Sequence, residues 1–274
     1  MDKKVGILYH PAIDAARPLG VELEKMMHSL NASVWLRSSW EAEDAGDEFA
    51  NTDLIISIGG DGTILRVSRA VLPWSVPILG INMGSLGFMT ELNPDQAILK
   101  LPSILNGEGR IEERTMLQVR LSSDERLFHA LNDVVLGRDE ICRVVKIRTC
   151  INGELLITYK ADGIIIATAT GSTGYSIAVG GPVLHPQAEE MILLPVAPHL
   201  SLNTALVLPS DTKAELEIQN DKAMLSIDGQ VHVRVNSGDT IKIERSPYIS
   251  RFLRTQPAAF FYRTLVGKLI GDYR

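Results

Sequence analysis

Leu54-Ile55-Ile56-Ser57-Ile58-Gly59-Gly60-Asp61-Gly62-Thr63 is an apolar run that empties through glycines into a helix-like stretch, Ile64 to Leu72. The apolar run has the length of a buried strand, and a strand that leads through glycines onto a helix start is the local form of a phosphate site. Glycine, lacking a Cβ, lets backbone N–H groups approach an anion closely, and the first helical turn offers unpaired donors at the positive end of its dipole. Asp61 is the odd member, because a carboxylate repels the phosphates such amides would bind. Either it has a task of its own, as metal ligand or proton acceptor, or the segment is a turn whose aspartate caps the next helix. The segment alone leaves both readings open.

The chain on either side of this segment indicates the fold. Val5 to Tyr9 reads as a strand and Ala15 to Leu30 as a helix, with Leu19, Leu23, Met26, Met27 and Leu30 recurring at helical spacing. Ser33 to Leu36 and Val76 to Ile81 are further strand-like runs. Pro94 to Leu105 reads as a helix, stopped by Asn106-Gly107-Glu108-Gly109. This alternation predicts a Rossmann-like, doubly wound α/β domain over residues 1–108, with ligands beyond the carboxyl ends of its strands.

Over residues 109–254 the pattern changes to short strands at Met116 to Leu121, Leu127 to Val135, Val144 to Ile151, Leu155 to Lys160 and Gly163 to Ala167. More follow at Ala205 to Leu208, Ala214 to Ile218, Ala223 to Ile227, Val231 to Val235 and Thr240 to Glu244. Asn152-Gly153, Asp162-Gly163 and Asp228-Gly229 read as hairpin turns. A mostly antiparallel, all-β second domain is predicted. Ala258 to Ile270 returns to helical spacing, so residues 255–274 are expected to pack back on the first domain as a C-terminal helix, which makes the β domain an insertion.

With 274 residues, 45% of them hydrophobic, the chain can bury two cores or one large one, and two domains are expected. A formal charge of −6 with scattered Lys and Arg argues against a nucleic-acid partner. Cys142 and Cys150 have no CxxC spacing and no secretory leader before them, so reduced thiols in a cytoplasmic protein are expected, with no zinc site. No stretch approaches the ~20 apolar residues of a spanning helix, so no membrane partner is expected. The acidic stretch Glu41 to Glu48 reads as a solvated helix face.

Three more constellations carry chemistry. Thr170-Gly171-Ser172-Thr173-Gly174-Tyr175-Ser176 is a second glycine-rich loop after a strand, suited to ligand contacts or to a helix cap. Within it Tyr175 either stacks on a purine or packs in the core. Asn132-Asp133 could read the vicinal hydroxyls of a ribose, or be a turn. Gly80-Ile81-Asn82-Met83-Gly84-Ser85-Leu86-Gly87-Phe88 is glycine-rich but lacks the GxGxxG dinucleotide spacing. His185-Pro186, with no recognisable catalytic partner, reads as structural.

Together these segments resemble the NAD kinase family, in order and over nearly the whole chain: Gly59 to Thr63, Gly80 to Phe88, Asn132-Asp133, Asp162-Gly163, Thr170 to Ser176, Gly180-Gly181-Pro182 with His185-Pro186, and Asp228-Gly229. The first element also resembles that of lipid kinases of the diacylglycerol and sphingosine type, and a non-catalytic nucleotide sensor is a third reading, against which Asp61 counts. The conjunction is specific to NAD kinases. Gly174 stands where that family often has alanine and Asp133 where it often has glutamate, changes that bear on fine affinity; Met89, where it often has leucine, is a volume-conserving change.

The resemblance implies transfer of the terminal phosphate of ATP, or of polyphosphate, to the 2′-hydroxyl of the adenosine ribose of NAD, with a divalent metal, magnesium by expectation, and no metal ligand assigned among the side chains. Phosphoryl transfer needs positioning and charge neutralisation, so Gly59, Gly60, Gly62 and Thr63 would hold phosphates while Asp61 accepts the hydroxyl proton. Nearby phosphates should favour protonation of Asp61 and make it a better base. By resemblance Asn132 and Asp133 would hold the NAD ribose, Thr173, Gly174 and Tyr175 would line the adenine region with Asp162, and Asp228 would add a contact. Ser176 would lie nearby, close to a subunit contact. The family fold implies a site in the cleft between the two domains and a homodimer or homotetramer built through the β domain.

Overall fold

The computed structural model describes residues 3–84, 87–139, 144–220 and 222–270. Ser85, Leu86 and Cys142 of the sequence reading lie outside them. The chain divides into two compact units, Met1–Glu113 with Ser250–Arg274, and Arg114–Ile249.

In the first unit the elements run β1 (Lys4–Tyr9), α1 (Ala16–Ser29), β2 (Ser33–Ser38), α2 (Gly46–Phe49), β3 (Leu54–Gly59), α3 (Asp61–Ala70), β4 (Ile78–Asn82) and α4 (Pro94–Leu105). The strands pair in parallel in the order β2-β1-β3-β4. On one face Leu19, Leu23 and Met27 of α1 and Leu101 and Ile104 of α4 pack on Val5, Ile7, Ile56, Ile58 and Ile81. On the other, Ile64 of α3 fills the space that a Cβ on Gly80 would need. Helices on both faces of a parallel sheet make the unit doubly wound, as the βα alternation predicts.

Helix starts follow local chemistry. α4 opens with a reciprocal cap, in which the Asn93 carboxamide accepts from Gln96 N–H at 2.8 Å and Gln96 Oε1 accepts from Asn93 N–H at 3.1 Å. α3 begins at Asp61, three residues earlier than the apolar pattern suggests, because Gly60 supplies the extended N-cap and Thr63 closes it. The acidic stretch forms a tight turn over Ser39–Ala45 and α2, burying Ala42, Ala45 and Phe49 while Glu41, Glu43, Asp44 and Asp47 face solvent.

The second unit holds the strands β5 (Arg110–Leu121), β6 (Asp124–Ala130), β7 (Asp133–Arg138), β8 (Val145–Ile151), β9 (Glu154–Ala161) and β10 (Gly163–Ala167), then α5 (Tyr175–Ala178). β11 (Met191–Val196), β12 (Leu206–Leu208), β13 (Ala214–Ile218), β14 (Lys222–Ile227), β15 (Val231–Asn236) and β16 (Thr240–Arg254) follow, and α6 (Phe260–Ile270) ends the description. β5 starts, and β16 ends, in residues of the first unit, where Phe252 of β16 pairs with Ile78. In the second unit one sheet contains β9, β8, β13, β16, β5 and β6, and the other runs β12-β11-β10-β7-β14-β15, antiparallel throughout. Their inner faces share one core, with Ile147, Tyr159 and Leu216 meeting Ile164, Leu193 and Leu225.

Four sequence expectations are corrected here. Leu127 to Val135 is not one strand: it breaks at Leu131-Asn132, and β6 and β7 belong to different sheets. Asp162-Gly163 is not a hairpin turn, since Asp162 is the single residue by which the chain leaves β9 and enters β10 of the other sheet. Its backbone stays paired, N–H to Val196 O and O from Arg138 N–H. β11 escapes a pattern search because five consecutive residues, Met191 to Pro195, are buried, leaving no alternation. β16 continues ten residues past Glu244. By contrast, Asn152-Gly153 (φ 51° and 86°) and Asp228-Gly229 (φ 51° and 65°) are hairpin turns as read.

Leu193 is fully buried in the strand the sequence conceals. Leu193→Ala is expected to lower unfolding free energy by about 2–5 kcal/mol. Urea titration measures this; a change under ~1 kcal/mol would place β11 outside the core.

Candidate active site

The glycine segment sits at the carboxyl end of β3, against the turn that follows β4. Asp61 is the first residue of α3, and its carboxylate faces the backbone of that turn. Oδ2 accepts the Phe88 N–H at 2.8 Å, and Oδ1 accepts those of Met89 at 3.1 Å and Thr90 at 3.3 Å. A carboxylate has about four lone-pair sites, so Oδ2, with one of these three donors, retains capacity for a further proton donor.

The approach depends on Gly87, since a Cβ there would stand 1.9 Å from Asp61 Oδ1. Gly59 is needed likewise: its Cβ would stand 2.1 Å from Thr63 Oγ1, the hydroxyl that accepts Gly60 N–H at 3.4 Å. Thr63 is buried, and its own N–H returns to Gly60 O at 3.0 Å, so its side chain works on the loop itself. Gly62 is exposed. The turn is knitted further by Asn82, whose carboxamide exchanges two bonds with the Gly84 backbone, and by Thr90, whose hydroxyl accepts Gly87 N–H. Sequence reading quotes Gly87 but gives it no role; its spacing from Gly80 and Gly84 was the available signal.

A buried charge cluster backs this turn. Arg254, 5% exposed, donates to Met89 O at 2.8 Å and pairs with Glu91 at 3.2 Å and Glu112 at 3.1 Å. Glu91 in turn accepts the N–H groups of Thr255 and Gln256. Met89, one of the three residues whose N–H groups hold Asp61, thus has its carbonyl held by an arginine. Lys268 of α6 lies 4.4 Å over the Phe88 ring.

In the second unit Asn132, Asp133, Gly174, Tyr175 and Asp228 come together at one end of β7 and β10. The Asp228 carboxylate accepts three successive N–H groups, Leu131 at 3.1 Å, Asn132 at 2.7 Å and Asp133 at 3.3 Å, which fixes the Asn132-Asp133 backbone. Gly171 is packed on Asn132, with only 2.0 Å between a built Cβ and Asn132 O. A Cβ on Gly174 would stand 3.5 Å from Asn132 Nδ2 and 3.6 Å from Asp133 Oδ2, so a methyl there would touch both side chains. Asn132 Oδ1 is buried without a hydrogen-bond partner, an acceptor left for a donor the protein does not supply.

Asp133 is buried, and its carboxyl is pushed up to about 7, first by burial and then by the Asp228 carboxylate, with the Tyr175 N–H pulling the other way. Tyr175 is 45% exposed at the start of α5, which settles its alternatives against the core. Thr173 Oγ1 donates to Thr170 O at 3.1 Å. Ser176 is fully buried against Gly181, and its hydroxyl has no partner. Asp162 is not brought to this cluster: β10 pairs with β7 so that Ala167 faces Asp133, whereas Asp162 lies at the other end of β10, in an ion pair with Arg138 at 3.0 Å. His185 Nδ1 accepts Gln187 N–H at 3.3 Å, a turn contact consistent with a structural role.

A glycine-flanked carboxylate on a helix start in an α/β unit, with a polar pair on a β unit, is the equipment of a nucleotide-dependent phosphotransferase. Residues 14–109 match the model of the ATP-NAD kinase N-terminal domain and residues 131–255 that of the ATP-NAD kinase C-terminal domain. The chain is 45% identical over 277 residues to the NAD kinase of Dehalococcoides mccartyi strain CBDB1, covering 99% of this chain and 98% of that protein. It is 36% identical to that of Chloroflexus aggregans, covering 98% and 99%. Among solved structures it is similar to an NAD kinase from Archaeoglobus fulgidus in complex with ATP (TM-score 0.78, 29% identity, 97% of this chain and 98% of that one). It shares its fold with yeast NADH kinase complexed with NADH (TM-score 0.87, 23% identity, 98% and 88%). The chain belongs to the NAD kinase family.

Two predictions follow from the geometry. Gly87→Ala should drive the Asp61 carboxylate off its three donors and lower turnover about a hundred-fold, the scale of a ~1 Å misplacement near a site; steady-state kinetics beside a melting curve reads it, and wild-type turnover would mean that the carboxylate need not sit there. For Asp133, between the ordinary carboxyl value of 3.8 and about 7 the folded protein holds a proton that the unfolded chain releases. Its contribution is therefore most favourable at low pH and is lost as pH rises through that window. Relative to Asp133→Asn, wild-type unfolding free energy should fall by about 1.4 kcal/mol per pH unit between roughly pH 5 and 6.5; parallel pH-dependent urea curves would refute the raised carboxyl.

Proposed function

We propose that this chain transfers the terminal phosphoryl group of ATP to the 2′-hydroxyl of the adenosine ribose of NAD, producing NADP. The observation that carries the reading is the Asp61 carboxylate, held by three N–H groups at the start of α3 with acceptor capacity remaining on Oδ2. Asp61 takes the hydroxyl proton as the acceptor oxygen attacks, and its fixed position at the start of α3 suits it to the task. The donor phosphates lie at the positive end of α3 beside Gly60 and Gly62, while Gly59 and Thr63 keep that end open and capped. Asp133, ionised, accepts two ribose hydroxyls, with Asn132 Oδ1 as a further acceptor. Gly174 leaves room there and Tyr175 offers an exposed ring to the adenine. Asp228 acts by holding the Asn132-Asp133 backbone, Thr173 and Ser176 shape the loop, and Asp162 serves the NAD at a distance from the ribose pair.

Among the described residues no group of three His, Cys, Asp or Glu side chains could hold a metal. The divalent ion, magnesium by expectation, would come with the phosphate oxygens of ATP and supply charge neutralisation there. The chain is expected to work in the cytoplasm as a homodimer or homotetramer, with polyphosphate as an alternative donor. Among the described residues no helix is long and apolar enough to cross a membrane. The curated relatives are NAD kinases and lend no support to a lipid acceptor or a silent nucleotide sensor.

The test is a coupled assay for NADP with magnesium, ATP and NAD, run with wild type and Asp61→Asn. Wild type should form NADP, and the variant should lose about 10²- to 10⁴-fold in turnover while binding NAD as before. No NADP from wild type would overturn the activity; near-normal turnover in the variant would remove Asp61 as the base.

A further inference from the structure

The strand order of the first unit singles out one position that the preceding assignments leave unused. From β1 the chain moves outward to β2, then returns across β1 to β3 and on to β4. The direction reverses between β1 and β3, and in open α/β sheets the crevice beyond the carboxyl ends at such a reversal receives the ligand. Gly59 ends β3 there, and His10 follows β1 on the other side.

His10 donates its N–H to Ile58 O at 2.8 Å, and its Cβ lies 3.2 Å from where a Cβ on Gly59 would stand, so it forms the wall next to the glycine loop. Its ring meets Trp40 edge to face, centroids 6.0 Å apart at 72°. Trp40 is 59% exposed at the carboxyl end of β2, on the Ser39–Ala45 turn that packs against α3. The same helix thus carries the Gly60-Asp61-Gly62 start and supports the turn that presents the indole.

Trp40 keeps 59% of its surface exposed although His10 pairs with its ring, whereas the aromatics Trp35 and Phe49 pair with each other, centroids 5.6 Å apart. A base stacked on an aromatic ring gains roughly 1–3 kcal/mol, largely whatever the base. The shelf lies on the β1 and β2 side of the glycine loop, where a nucleoside triphosphate with its phosphates at the start of α3 can rest its base.

We propose that Trp40, braced by His10, is the shelf for the base of the phosphoryl donor, so that this chain has a donor-nucleoside subsite on its first unit. The inference rests on the reading of ATP as donor. A flat aromatic shelf makes little distinction among purines, so GTP competes for the same surface.

The test compares Trp40→Ala, Trp40→Phe and, as a control, Trp74→Phe, whose indole is also partly exposed but pairs with Phe49. Trp40→Ala should raise KM for ATP between five- and a hundred-fold, the kinetic equivalent of a lost stacking contact, with KM for NAD unchanged. Trp40→Phe should restore most of the affinity, and the control should match wild type. ATP should quench wild-type and Trp74→Phe fluorescence but leave Trp40→Phe unquenched. An unaltered KM for ATP in Trp40→Ala, or equal quenching in both Phe variants, overturns the shelf. Absence of NADP from wild type strikes the kinase reading instead, and the fluorescence titration with ATP still decides whether the shelf binds nucleotide.

Discussion

The interaction on which the first unit turns is a carboxylate caught by three consecutive backbone N–H groups. Asp61 reaches from the start of α3 to the amides of Phe88, Met89 and Thr90, tying the loop after β3 to the loop after β4. Two glycines make room for this helix start. Gly87 leaves the space the carboxylate fills, and Gly59 leaves the space for the threonine that closes the helix start. A glycine loop usually brings backbone to a ligand; here it also brings backbone to the protein's own acid. The negative charge of Asp61 is thereby answered by the protein's own amides, since the carboxylate is turned toward its three donors.

The second unit repeats the device for a different end. Asp228, in a hairpin turn with a positive φ of 51°, holds the N–H groups of Leu131, Asn132 and Asp133. Burial raises the Asp133 carboxyl, and the immobilised Asp228 carboxylate raises it further. One aspartate acts through its position and the other through its field. A buried carboxyl that hovers between protonated and ionised near neutrality is a poor stabiliser of the fold, which fits a group kept for a ligand that would donate hydroxyls to it.

Much of this was legible in the sequence, and the failures have physical causes. The doubly wound unit follows from the alternation of apolar runs and helical spacing, and Asn152-Gly153 declares its turn through residues that tolerate positive φ. β11 is hidden because both its faces are buried, and the break at Leu131-Asn132 because the two strands differ only in which sheet accepts them. Asp162-Gly163 has the letters of a turn, yet its partners, Val196 and Arg138, are distant in sequence and decide its extended form. The glycine loops announce a site. The reach of Asp61 to Phe88, 27 residues away, is a tertiary fact that no local spacing encodes.

The discontinuity of the first unit carries a consequence for how the enzyme is born. Glu91 and Glu112 are buried carboxylates whose partner, Arg254, also holds the carbonyl of Met89. That arginine lies 142 residues after Glu112, so a ribosome supplies it roughly seven to thirty seconds later. Until then Glu91 lacks the guanidinium it pairs with in the finished fold, Glu112 is left to Arg110, and the loop that must grip Asp61 lacks its rear support. The α/β half is therefore written first and completed last: the nascent chain carries its glycine loop through most of synthesis without a finished grip on its own acid.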